Sequence, residues 1–234
     1  MSPYLSVIIP CFNEAGKIEA DIRASLDYFT AQPYSFELLL VDDGSSDATP
    51  AILAQAKTSS THVQSICYRP NRGKGCAVRT GMLQARGQFR LFADAGLCVP
   101  FSEIGKGLAL LEAGADLAIG SRKLAGSQVV EQQAGYRRMG SALFGTLVRN
   151  WMGLRYSDTQ CGFKLFTAPA AERLFSAARI DGFMFDAETL INARKFGLTV
   201  REFPVEWRAD PDSRYKPFSG SFRNLMELVR IQLQ

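Results

Sequence analysis

A chain of 234 residues, 47% hydrophobic and 21% charged, is long and apolar enough for one full α/β core and excludes wholesale disorder. Its formal charge of +4 suits an anionic ligand such as a phosphate, or a membrane surface, but the basic residues form no long runs, so nucleic acid is not an expected partner. Five scattered cysteines without a CxxC pair argue against a disulfide framework or structural zinc and for a reducing compartment.

The elements follow in chain order. Leu5–Ile9 is a β-branched run stopped by Pro10, which reads as a strand rather than a signal peptide. Ile18, Ile22, Leu26 and Phe29 have the spacing of an amphipathic helix. Phe36–Val41 is a second buried strand, and its polar end Asp42-Asp43-Gly44-Ser45-Ser46-Asp47 can cap the next helix, with Pro50 in the first turn. A third strand spans Val63–Tyr68 and leads through Asn71-Arg72-Gly73-Lys74-Gly75 into a helix over Ala77–Arg86. The fourth strand is Phe89–Ala93, ended by Asp94. A helix with Ile104, Leu108 and Leu111 and a strand at Asp116–Gly120 complete the alternation, which predicts a doubly wound, mostly parallel sheet flanked by helices. Right-handed crossovers then bring Pro10, Asp42, Lys74, Asp94 and Arg122 around one crevice at the carboxyl edge.

Beyond Arg122, Leu124–Gly135 reads as a mobile polar loop, and Tyr136–Met152 as a long helix with Arg137 and Arg138 in its first turn. Asp158–Lys164 reads as a loop, Ala168–Phe175 as a helix, and Asp186 and Glu188 as the capped, partly exposed start of another. A last strand covers Leu198–Val205, followed by a charged loop at Asp210–Lys216. Phe222, Leu225, Met226, Val229 and Leu233 mark a closing amphipathic helix, whose default reading is packing on the sheet. An interfacial helix at lipid head groups is the alternative reading for both long helices, with Trp151, Arg149 and Arg155 flanking the first. No run of about 18 apolar residues occurs to span a membrane.

Asp94 is an acid delivered to the edge of a parallel sheet, where α/β proteins bind ligands. A carboxylate of the Asp42-Asp43 pair can hold ribose hydroxyls or a base edge, and Lys74, between two glycines, can neutralise a phosphate. There is no GxGxxG and no P-loop, which counts against dinucleotide binding and P-loop ATP hydrolysis. The single histidine, His62, lies far from these clusters and reads as a surface residue, and Cys161 reads as a structural thiol.

Six motifs now stand in register: Ser6–Pro10 with Asn13-Glu14, Val41–Ser45, Asn71–Gly75, Asp94, Gly120-Ser121-Arg122, and Asp158–Lys164. In that order they resemble family 2 glycosyltransferases, and most closely the dolichyl-phosphate glucose and mannose synthase branch. The resemblance implies a GT-A fold, a single domain of residues 1–234, with a nucleotide-binding half (1–122), an acceptor half (123–217) and a C-terminal helix (218–234). It implies inverting transfer of a hexose from UDP-glucose or GDP-mannose to a polyprenyl phosphate, by an enzyme held peripherally at a cytoplasmic membrane face. Pro10, Asn13, Glu14, Asp42, Asp43 and Lys74 would bind the nucleotide. Asp94 would hold a Mg²⁺ or Mn²⁺ ion as the first acid of a DxD motif. Arg122, Arg137, Arg138 and Ser141 would receive the acceptor phosphate, and Asp158 and Gln160 would shape the sugar side.

The sequence departs from that pattern at Gly96, where the second carboxylate of the motif is missing. Cys98 is a poor substitute, because thiolates suit softer metals. A cation held by Asp94, diphosphate oxygens and waters remains the favoured reading, beside basic side chains acting in its place and an inactive relative. A phosphate acceptor is already largely dianionic near neutral pH and needs no general base. A hydroxyl acceptor would need one, with Asp158, Asp186 or Glu188 as candidates.

Overall fold

The structure is a computed structural model, which describes residues 2–130, 151–209 and 221–233. The helix expected over Tyr136–Met152, with Arg137, Arg138 and Ser141, and the charged loop at Asp210–Lys216 therefore lie mostly or wholly outside the described residues.

The alternating elements are β1 (Leu5–Cys11), α1 (Ile18–Thr30), β2 (Phe36–Asp42), α2 (Thr49–Ser59), β3 (Val63–Cys67), α3 (Lys74–Gln84), β4 (Phe89–Ala93), α4 (Ile104–Glu112) and β5 (Leu117–Ser121). After β6 (Gln128–Val129) come β7 (Phe163–Thr167), α5 (Ala168–Ala177), α6 (Phe185–Lys195), β8 (Val200–Pro204), β9 (Glu206–Trp207) and α7 (Ser221–Gln232). Seven strands form the central sheet in the order β3-β2-β1-β4-β7-β5-β8, and only β7 runs against the rest. The mixed α/β fold thus has the expected doubly wound, mostly parallel sheet.

Successive residues of a strand point to opposite faces, and the two cores follow from that alternation. Val7, Ile9, Leu38 and Leu40 pack with Phe29 and Leu53 on one face, under α1, α2 and α4. Ile8, Leu39, Val41 and Phe92 pack with Val78, Met82, Leu174 and Leu190 on the other, under α3, α5 and α6.

Three expectations need correction. Phe163–Thr167 is a strand, inserted between β4 and β5, where the sequence reads as loop and helix start. Its pattern is sound: Phe163 and Leu165 enter one core and Phe166 the other, but Lys164 occupies an inward position and masks the alternation. Within the polar stretch after Leu124, Gln128–Val129 pairs in parallel with β9. On α7, the buried side chains are Asn224, Glu227, Leu228 and Ile231, whereas Leu225, Met226 and Leu233 are exposed. Leu225, Met226 and Leu233 of the apolar stripe read from the sequence therefore face outward, and Val229 is half-buried. Asn224 and Glu227 look polar in one dimension, yet Glu227 turns inward to accept the Met184 N–H at 3.2 Å.

Candidate active site at the carboxyl edge of the sheet

The loops leaving β1 and β2 are tied together before any ligand is considered. Asn13 takes a positive φ of 53°, which asparagine tolerates better than most residues. Its Oδ1 accepts the Ser46 N–H at 2.7 Å and its own N–H donates to Ser45 Oγ at 2.7 Å. The Glu14 N–H donates to Thr49 Oγ1 at 2.8 Å, and the Glu14 carboxylate lies 3.1 Å from the Lys17 ammonium. Pro10 sits half-buried in register with Val41. Asp42 accepts the Ser45 N–H at 3.1 Å. Asp43 is buried and accepts the N–H groups of Arg72 and Gly73 and the Asn71 amide, each at 2.8 Å. A carboxylate in that position shapes the 71–73 loop and so aims Lys74, the first residue of α3.

Lys74 reaches across to Asp94. Its ammonium lies 2.6 Å from Asp94 Oδ1 and over the rings of Phe92 and Phe185, 5.3 and 6.0 Å from their centroids. Burial pulls the Lys74 pKa down, but Asp94 and Asp186 outweigh it and the net shift is upward, so the lysine stays charged. The Asp94 N–H donates to the Gly162 carbonyl at 2.9 Å. A Cβ on Gly162 would stand 2.0 Å from Asp94 Oδ2, so only glycine at 162 leaves room for that carboxylate.

Two residues on, Gly96 has φ of 94° and donates its N–H to Asp21 Oδ2 at 2.8 Å. The following Leu97 is also left-handed, with φ of 50°. This turn bends toward α1, and the missing DxD carboxylate falls at a backbone angle that favours glycine. Among the described residues no group of three or more His, Cys, Asp or Glu side chains could hold a metal. Asp94 Oδ1 is nevertheless a buried oxygen, held by the Lys74 ammonium at 2.6 Å. One such oxygen fits a hard cation whose other ligands are diphosphate oxygens and water.

Arg122 forms a fork with Asp158: Nε to Oδ2 at 2.6 Å, a second guanidinium nitrogen to Oδ1 at 2.9 Å, and the Arg122 backbone N–H to Oδ2 at 3.1 Å. Its guanidinium carbon stands 5.3 Å from the Trp207 ring centroid. Burial pushes the Asp158 carboxyl up, but the Arg122 hydrogen bonds and charge more than offset this and hold it down at about 2. Glu202 on β8 accepts the Ser157 and Asp158 N–H groups at 2.9 and 3.2 Å, and the Gln160 N–H donates to Asp158 Oδ1 at 3.3 Å. The 157–160 loop is thereby pinned from both sides.

A second lysine–aspartate pair lies deeper. Lys164 donates to Asp186 Oδ1 and to the Cys161 carbonyl, with both side chains buried. Burial raises the Asp186 carboxyl above its ordinary value, against the pull of Lys164 and Lys74. Glu188 is wholly buried and accepts the Arg179 and Ile180 N–H groups at 2.9 and 3.0 Å. The expected partly exposed helix start is thus an interior charge cluster. Burial pushes the Cys161 thiol up to about 12, an inert state, and His62 is exposed and stacked on Phe36 at 4.4 Å.

The structure brings Asp94, Lys74, Arg122 and Asp158 together at one edge, with Asn13, Asp42 and Asp43 in the loops beside them. Arg137, Arg138 and Ser141 lie outside the described residues. Sequence reasoning missed Gly162 as the floor under Asp94 and Lys164 as the partner of Asp186. A lysine set among Phe163, Leu165 and Phe166 was the available signal.

Comparisons with known proteins show the family and the fold. The model of Glycosyl transferase family 2 matches residues 6–175. The dolichyl-phosphate beta-glucosyltransferase of Dictyostelium discoideum is 31% identical over 243 residues, 99% of this chain and 74% of its own length. The enzyme of the same name from Homo sapiens is 33% identical over 251 residues, 98% of this chain and 75% of its own. Among solved structures, glucosyl-3-phosphoglycerate synthase from Mycobacterium tuberculosis, in complex with Mn²⁺, UDP and glucosyl-3-phosphoglycerate, superposes with a TM-score of 0.67 at 19% identity, covering 99% of this chain and 79% of that one. Mannosyl-3-phosphoglycerate synthase from Rubrobacter xylanophilus gives 0.67 at 16% identity, covering 99% and 73%. At such identities the structures support the fold.

Proposed function

The chain belongs to glycosyl transferase family 2, and we propose that this glycosyltransferase moves glucose, with inversion, from a nucleotide-diphosphate sugar to a polyprenyl phosphate such as dolichyl phosphate. The observation that carries the choice of acceptor is the state of the three acids able to serve as a general base. Asp158 is locked to Arg122, which holds its pKa down at about 2, Glu188 is wholly buried with both oxygens on backbone N–H groups, and Asp186 is buried against Lys164. None of these three acids is free to serve a hydroxyl acceptor as a base, whereas a phosphate dianion needs none.

In this reading an oxygen of the acceptor phosphate attacks the anomeric carbon. The bond from that carbon to the diphosphate oxygen breaks, the electron pair leaves with the nucleoside diphosphate, and no proton moves. The 1–122 side binds the nucleotide through Pro10, Asn13, Glu14 and Asp42, with Asp43 positioning the Lys74 loop. Lys74 neutralises the departing diphosphate. A divalent cation, when bound, would be held by Asp94 and would supply further positive charge to the same leaving group. Arg122, with Arg137, Arg138 and Ser141, receives the acceptor phosphate, and Gln160 lines the sugar side. UDP-glucose is the favoured donor because the relatives are named for glucose. Among the described residues no helix is long and apolar enough to cross a membrane, and we place the enzyme peripherally at a cytoplasmic face, where the lipid phosphate is reached.

The test is incubation with labelled UDP-glucose or GDP-mannose, Mg²⁺ and polyprenyl phosphate. A labelled polyprenyl-phosphate glucose is the expected product. Transfer only to a hydroxyl acceptor, or nucleotide binding without turnover, would overturn the proposal.

A further inference from the structure

On the flank of the α3 N-terminus lies a cavity of about 450 Å³ that the reaction does not use. Arg72, Arg179 and Arg230 line it, from three separate segments, together with Asp181, Met226 and Glu227. Asp181 is already paired with Arg72 at 3.3 Å and with a fourth arginine, Arg79, and a Glu227 oxygen accepts the Met184 N–H. Arg179 and Arg230 are exposed and make no ion pair among the described residues. The lining carries three guanidinium groups against the carboxylates of Asp181 and Glu227, a net positive balance, and Arg179 and Arg230 are exposed to an incoming anion.

Its outer lip is apolar. Arg230 stands one turn beyond Met226 on the outward face of α7, with Leu225 and Leu233 beside it. Leu225 is 42% and Met226 44% exposed, and neighbouring Trp151, whose carbonyl accepts from Gln232 at 3.1 Å, is exposed as well. Exposed arginines beside exposed leucine, methionine and tryptophan suit the head-group region of a lipid monolayer, where phosphodiester charge borders acyl chains.

We propose that the Arg72–Arg179–Arg230 cavity binds the phosphodiester head group of an anionic phospholipid, with the outward face of α7 in the head-group region. The lining includes none of Asp94, Lys74, Arg122 and Asp158, and the proposal deepens the proposed function, because it rests on that reading of a lipid-borne acceptor. Guanidinium forks suit phosphate oxygens, and two unpaired arginines suit one singly charged phosphodiester better than a neutral head group.

Cosedimentation with phosphatidylcholine vesicles, with and without phosphatidylglycerol, tests it. Binding is expected only with the anionic lipid, and Arg179→Gln with Arg230→Gln should weaken it roughly fivefold per arginine, about thirtyfold together. A control pair, Lys57→Gln with Arg201→Gln, removes the same charge from exposed positions on α2 and on the edge strand β8. Equal losses in the two double variants would reduce the effect to diffuse attraction and overturn the site, as would indifference of the wild-type protein to phosphatidylglycerol. Titration with soluble glycerophosphate separates the sources of the anion. Tight binding of it, abolished by Arg179→Gln with Arg230→Gln and without vesicle binding, would assign the cavity to a free phosphate ester and overturn the lipid assignment. Transfer to a short-chain polyprenyl phosphate dispersed in detergent reads the proposed function separately, and the Arg179/Arg230 variant should retain it.

Discussion

The molecule holds two lysine–aspartate pairs in adjacent layers, and they serve different ends. In Lys74–Asp94 the side chains are 24% and 29% exposed, and the contact is a single one, from the ammonium to Asp94 Oδ1 at 2.6 Å. In Lys164–Asp186 they are 1% and 7% exposed, and the ammonium is further fixed by the Cys161 carbonyl. Water and a ligand can replace the partner in the first pair. Neither can reach the second. An open pair contributes little to stability and is free to exchange partners, while breaking a closed one leaves a bare charge in the core.

The sharpest test of that contrast is Lys164→Met, which should cost on the order of 3–5 kcal/mol in urea unfolding, because Asp186 loses its compensation. Lys164→Met combined with Asp186→Leu should recover most of it. A loss as large from Lys74→Met would erase the distinction between the pairs. Next, Asp94→Asn should lower transfer on the order of 10²–10³-fold while moving stability by less than about 1 kcal/mol. Full transfer by Asp94→Asn in excess chelator would remove both Asp94 and a cation from the reaction.

A third pair, Arg122–Asp158, lies between these extremes and has a pH signature. The Asp158 carboxyl sits at about 2 in the fold against 3.8 ordinarily, so its contribution is fully present above the unfolded value. That contribution, about 2 kcal/mol, is lost as pH falls from about 4 toward about 2. Acid titration of stability should show this slope, and Arg122→Met should flatten it. The smallest effect is expected at Gly96. Gly96→Asp restores the second acid of the DxD motif on paper, but at φ of 94° it should cost about 1 kcal/mol and leave Mn²⁺ affinity in direct titration no tighter. A clear gain in affinity would show that the turn accommodates a carboxylate ligand after all.

The contrast also explains what could be read from the sequence. Strands β1, β2, β4 and β5 are largely apolar runs, the last three closing at Asp42, Asp94 and Arg122, while β1 runs through Pro10, where the sequence reads a stop, to Cys11; the strands and the edge they share are local signals. The stitching of the loops by Asn13 and Asp43 is not local, because the partners stand 28 to 34 residues away. Lys164 hid β7 because its partner, Asp186, is 22 residues further on, and a charge reads as solvent-facing until that partner is known. Glu227 misled the orientation of α7 for the same reason. Local pattern settles elements, and the charges that look misplaced mark where distant segments meet.

The antiparallel strand β7 has a consequence for how the chain comes together. β4 and β5 are consecutive strands, yet neither pairs with the other, and the gap between them stays open until residues 163–167 arrive. A nascent chain ending near Arg122 leaves one edge of β4 open and β5 without either of its partners, β7 and β8, and leaves Phe92 without Phe185 against it. Closure depends on a late, long-range pairing, which slows folding relative to a sheet built from neighbours. The two sides of the crevice, whatever each of them binds, are therefore made in a single cooperative event, and a gene fragment encoding the first alone should yield aggregating material rather than a small nucleotide-binding protein.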